Sequence, residues 1–94
     1  MIVIRDGSPF VEGLSEQGQH LLETYLSGMN DEAVEGINGE LELAQRKPPQ
    51  FGREASTAHI KTAIRIARRD SGLSPVNSDE LHELARELYQ LCRQ

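Results

Sequence analysis

Ninety-four residues with a net charge of −5, 37% hydrophobic content, two Tyr, two Phe and no Trp make one domain with a thin aliphatic core, too small for a multidomain enzyme. A chain of this size buries only about 60–65% of its unfolded surface, so added stability from a partner or a second copy is expected. The single Cys92 excludes an internal disulfide, no apolar run reaches a membrane span, and no secretory leader pattern opens the chain, which points to the cytoplasm and away from a membrane.

The chain opens on Met1-Ile2-Val3-Ile4, apolar and β-branched, with the tight-turn signal Asp6-Gly7 ahead of Pro9-Phe10-Val11; residues 1–13 read as a short strand or hairpin. Ser15 is a good N-cap, and Leu21, Leu22, Tyr25, Leu26 and Met29 recur at helical spacing, which predicts a helix over 15–27 closed by Gly28. Asn30-Asp31-Glu32 starts a second helix on the stripe Val34, Ile37, Leu41 and Ala44, although Gly36 and Gly39 each cost that helix ~1 kcal/mol relative to Ala. These two helices occupy 15–45. Prolines at 48 and 49 break the pattern, so 46–53 reads as a Pro-rich loop.

A third helix begins near Glu54 to Thr57 and ends at Asp70 or Ser71, with Gly72 as its stop. At about 100° per residue with Lys61 at zero, Ile60, Ala63, Ile64 and Ala67 span an arc from about −160° to −60°, and Lys61, Arg65, Arg68 and Arg69 one from about −20° to +80°. Apolar and basic faces are therefore expected to be separate. The fourth helix opens on Asn77-Ser78-Asp79-Glu80, with capping-box spacing, and continues on Leu81, Leu84, Ala85, Leu88, Tyr89 and Cys92. The fold class that follows is all-α: a small bundle of about four helices with a short N-terminal strand or hairpin, in a single domain over 1–94.

Charge is segregated along these elements. Residues 1–45 hold Arg5 against nine acidic residues, a net of −8; residues 46–69 hold seven basic residues against Glu54, a net of +6; residues 70–94 hold five acidic residues against Arg86 and Arg93, a net of −3. Such blocks speak to partners more than to fold. Within the bundle, the +6 block can face the −8 block.

Signals for chemistry are weaker. Cys92 lies on the stripe of the fourth helix, where a cysteine behaves as a small buried hydrophobe. His20, His59 and His82 each lack a second His or Cys at i+3 or i+4, so neither a metal site nor a cofactor is expected. The pairs Asp31-Glu32 and Asp79-Glu80 fit first helical turns, where unpaired N–H groups favour negative charge. Gly36-Ile37-Asn38-Gly39 lacks the Lys-Ser or Lys-Thr of a phosphate-binding loop.

The segment Ala67 to Pro75 followed by a helix resembles the turn of a helix-turn-helix. It departs from that pattern by one extra residue before Gly72, by Ser78 where an aliphatic residue is usual, and by Asp79, Glu80 and Glu83 on the helix that would enter the groove of a polyanion. These observations favour a non-enzymatic protein-interaction module: an adaptor, inhibitor or regulatory subunit, including the antagonists that phages and mobile elements encode. Its expected docking residues are Glu35, Glu40 and Glu42 on the acidic face, with Lys61, Arg65, Arg68 and Arg69 as a second charged face, and a homo-oligomer is among the expected states. The alternative is a nucleic-acid-binding regulator using the basic face of residues 61–69.

Overall fold

A computed structural model describes residues 1–46, 52–76 and 79–93. The elements run β1 (Val3–Arg5), β2 (Ser8–Phe10), α1 (Glu16–Leu26), α2 (Asp31–Arg46), α3 (Arg53–Asp70) and α4 (Asp79–Cys92), the expected helical bundle with an N-terminal hairpin. Arg46 and Arg53, expected in the Pro-rich loop, are the last residue of α2 and the first of α3. The rest of that loop at 47–51, and Asn77 of the expected capping box, lie outside the described residues.

The hairpin turns on Asp6 and Gly7, whose φ angles of 51° and 80° supply the two left-handed residues of a type I′ turn. Strand pairing is antiparallel, with Ile4 opposite Pro9 and Arg5 opposite Ser8. Pro9, which has no N–H to donate, is tolerated because β2 is an edge strand, and its carbonyl accepts from Gln19 Nε2 on α1 at 3.0 Å. The side of the hairpin next to α2 is held differently. Asn38 on α2 accepts from the Ile2 N–H through Oδ1 at 2.8 Å and donates from Nδ2 to the Ile2 carbonyl at 3.0 Å, so its amide acts as the peptide of a neighbouring strand.

The helix ends follow local chemistry. Ser15 caps α1 by accepting from the Gly18 N–H at 2.9 Å, and Asn30 caps α2 by accepting from the Ala33 N–H at 2.8 Å. A capping box would place Glu or Gln at position 18 to reach back to the Ser15 N–H. Here position 18 is glycine, and the carboxylate comes from Glu87 on α4, which accepts from the Ser15 N–H at 2.7 Å and from its hydroxyl at 3.2 Å. The far end of α3 closes in a Schellman motif, with Gly72 (φ 76°) donating to the Arg69 carbonyl at 3.1 Å and Leu73 to the Arg68 carbonyl at 2.9 Å.

The core is mainly aliphatic, with Met29 and Tyr89 also buried in it. Leu22 and Leu26 of α1, Ile37 of α2, Ile60 and Ile64 of α3, and Leu81, Leu84 and Leu88 of α4 are fully buried. Helix α3 is central, packed on α2 and α4, while α1 lies on α4 and β2. The short connection from Arg46 to Arg53 makes α2 and α3 antiparallel neighbours, which decides how their charged faces meet.

Candidate docking surface

The seven charged residues singled out from the sequence do not form two continuous faces. At about 100° per residue, Glu40 lies ~140° from Glu35 and ~160° from Glu42 around α2, so no single partner surface reaches all three. Glu40 is half-buried and lines a groove between α2 and α3 with Glu32, Gly36, His59, Ala63 and Ile66. Glu42 instead lines a groove on the other side of α2, of about 430 Å³, with Met1, Val11, Leu88 and Cys92. It also meets Arg46 at 3.8 Å, one turn along the same helix. Glu35 is exposed.

The basic set divides as well. Arg68 is only 8% exposed. Its guanidinium donates to the Ser74 carbonyl through Nε at 3.1 Å and Nη2 at 2.8 Å, and to the Tyr25 carbonyl through Nη1, with the Tyr25 ring 5.9 Å from the guanidinium carbon. It ties the end of α1 and the segment after α3 to the core, and it is not part of an exposed basic face. The reason is angular: at about −20° on the wheel, Arg68 sits at the edge of the buried arc, near Thr57 at about −40°. Arg65 and Arg69 are exposed and Lys61 is half-buried. Arg69 lies 3.5 Å from the neighbouring Asp70. Among the described residues, Arg46, Arg69 and Arg86 each pair with a carboxylate of their own helix, and no ion pair joins a carboxylate of α1 or α2 to α3.

What the two charged sets flank is an apolar seam. Ile66 is 44% exposed, at about +140° on the wheel of α3 and therefore outside its apolar stripe. It stands between two grooves: the α2–α3 groove of about 300 Å³, and one of about 400 Å³ lined by Arg65, Arg69, Gly72, Leu73, Pro75 and Val76. Leu43, 49% exposed, lies on the side of α2 that carries Gly36 and Glu32. The groove sets Glu32, Gly36 and Glu40 of α2 against His59, Ala63, Ile66 and Asp70 of α3, and Arg65 and Arg69 lie beyond Ile66 on the second groove. Ile66 and Leu43 carried no motif in the sequence. The signal that identifies them is their angle, an aliphatic residue off its helix's own stripe.

Among the described residues, no three of His, Cys, Asp and Glu gather as a metal site, and no helix is long and apolar enough to cross a membrane. Cys92 is half-buried beside α2, and burial pushes its thiol above the ordinary value while the nearby N-terminal ammonium pulls it back down. Compared with protein-family models, curated proteins and solved structures, the chain matches none.

Proposed function

We propose that this protein is a small docking module that binds another protein chain through the α2–α3 face and performs no chemistry of its own. The observation that carries the reading is Ile66: a large aliphatic side chain left 44% exposed between two grooves, with acidic residues on one side and basic residues on the other. Apolar surface at the centre supplies affinity once water is excluded, and the flanking charges set orientation and speed of encounter. Both kinds of group stand together here. Of the acidic residues expected to dock, Glu40 belongs to this surface, joined by Glu32, while Glu35 and Glu42 point elsewhere around α2.

The nucleic-acid reading loses its strongest support with Arg68 committed to the core. Lys61, Arg65 and Arg69 remain as a stripe of three, but Ile66 and Asp70 run along its edge, and a polyanion gains nothing from an exposed isoleucine or a neighbouring carboxylate. Capture of the tagged chain's partners from its native cell, with and without nuclease, separates the two. Docking predicts a nuclease-resistant protein partner that is lost with Ile66→Glu and retained with Glu35→Gln. A partner that disappears on nuclease treatment, or that persists with Ile66→Glu, contradicts it.

A further inference from the structure

Resting on this docking reading, we propose that the second groove, between α3 and the segment 72–76, receives an acidic amphipathic helix of the partner protein, with aliphatic side chains on the groove floor and carboxylates on Arg65 and Arg69. The groove, of about 400 Å³, has an apolar floor that includes Ile66, Leu73, Pro75 and Val76, and among the described residues the charged groups lining it are the two arginines. Both are available. Arg65 is exposed and forms no ion pair among the described residues, while Arg69 meets the neighbouring Asp70 at 3.5 Å. The last carbonyls of α3 do not draw on this charge, because the Gly72 and Leu73 N–H groups occupy those of Arg69 and Arg68. Guanidinium groups beside uncovered apolar surface suit carboxylates carried on an apolar scaffold.

The spacing selects the shape of the occupant. At about 1.5 Å per residue, Arg65 and Arg69 stand ~6 Å apart along α3, at about +40° and +80° on the wheel, with Ile66 beside them at about +140°. Charge and apolar surface thus run side by side. On one face of an extended segment the side chains stand in a single row, so carboxylates and an aliphatic group cannot lie next to each other across it. A helix with Glu at i and i+4 and Leu at i+3 carries all three within about 100° of arc, and its carboxylates are ~6 Å apart along the axis. Other anionic surfaces match less of the groove. Nucleic acid brings charge but no aliphatic side chain for the floor, and an anionic membrane would set its headgroups against Glu32, Glu40 and Asp70 on the far side of Ile66.

The test is fluorescence anisotropy of a labelled synthetic helix of about 18 residues, long enough to hold its turns, that carries this Glu and Leu pattern and is titrated with the purified full chain. The acidic peptide is expected to bind, more weakly as salt rises from about 50 to 500 mM, and a counterpart with Lys in place of each Glu is expected not to. Arg65→Glu combined with Arg69→Glu is expected to weaken the acidic peptide by more than about tenfold and to admit the lysine peptide in its place, a reversal that loss of structure cannot produce. Glu35→Gln is expected to change neither. An acidic peptide that binds no better than its lysine counterpart, or a double variant without the reversal, overturns the proposal. Tighter binding of phosphatidylserine vesicles or of a DNA oligonucleotide, lost in the same double variant, overturns it as well. If the double variant still captures from the cell the partner that Ile66→Glu loses, the acidic-helix assignment fails and the docking reading survives. If Ile66→Glu also retains that partner, both fail.

Discussion

Glu87 and Gly18 show how far apart in sequence a single local device can be built. The Glu87 carboxylate occupies the space above Gly18, where any Cβ would collide with it, and it satisfies the Ser15 N–H that begins α1. Gly18→Ala should therefore lower stability even though alanine is the better helix former. Gly36→Ala and Gly39→Ala, with open space at both positions, should each raise it by about 0.5–1 kcal/mol. Thermal denaturation of the three variants checks the contrast. Glu87→Ala should cost about 1–2 kcal/mol through the lost cap. Arg68→Ala should cost about 2–3 kcal/mol, because it leaves the Tyr25 and Ser74 carbonyls without their charged donor, whereas Arg65→Ala should leave the melting temperature unchanged within about 0.5 kcal/mol equivalent. Cys92 adds a pH term. Its folded thiol titrates above the unfolded one, so its contribution is fully present below the unfolded pKa and is lost as pH rises through the folded value. Cys92→Ser should flatten the fall in stability on the alkaline side, as followed by urea denaturation across that range.

The helices were legible because their ends carry chemistry that acts within a few residues: the Ser15 and Asn30 caps, the left-handed glycines at 28 and 72, and Asp6-Gly7 in the hairpin. Helix α2 formed despite two internal glycines because Val34, Ile37, Leu41 and Ala44 all bury on one side, and tertiary packing outweighs propensity. What could not be read were the contacts that join distant elements. Nothing near Asn38 in sequence shows that its amide will hold the Ile2 peptide, and nothing near Arg68 shows that the segment at Ser74 will fold back onto its guanidinium. The acidic docking candidates differ in another way: Glu35, Glu40 and Glu42 share a charge block along the chain, and the helix distributes them around its circumference. The hairpin offers a test of the Asn38 contact on its own: Asn38→Ala should speed hydrogen exchange at the Ile2 amide and along 2–10 while leaving the protection of α3 and α4 in place. Uniform loss of protection would show that the hairpin is integral to the core and not held chiefly by this amide.

Across the whole molecule, the net charge of −5 conceals an arrangement more specific than the three blocks along the chain. Folding places acidic α2 beside basic α3, yet among the described residues the side chains do not neutralise one another across the groove. Opposite charges therefore remain available on two sides of an exposed isoleucine. Association through this face should weaken as salt rises, since the flanking pairs lie at a solvent-accessible rim, but a residual apolar component should persist at high salt. Binding measured between about 50 and 500 mM salt checks that division, with a small but non-zero affinity expected at the upper end. The most direct test of the central claim is the substitution at the seam. Ile66→Glu, measured against the unaltered chain for partner capture at equal helical content, should abolish association and leave the fold intact. Association retained by a folded Ile66→Glu chain would contradict the assignment of the α2–α3 face as the docking surface.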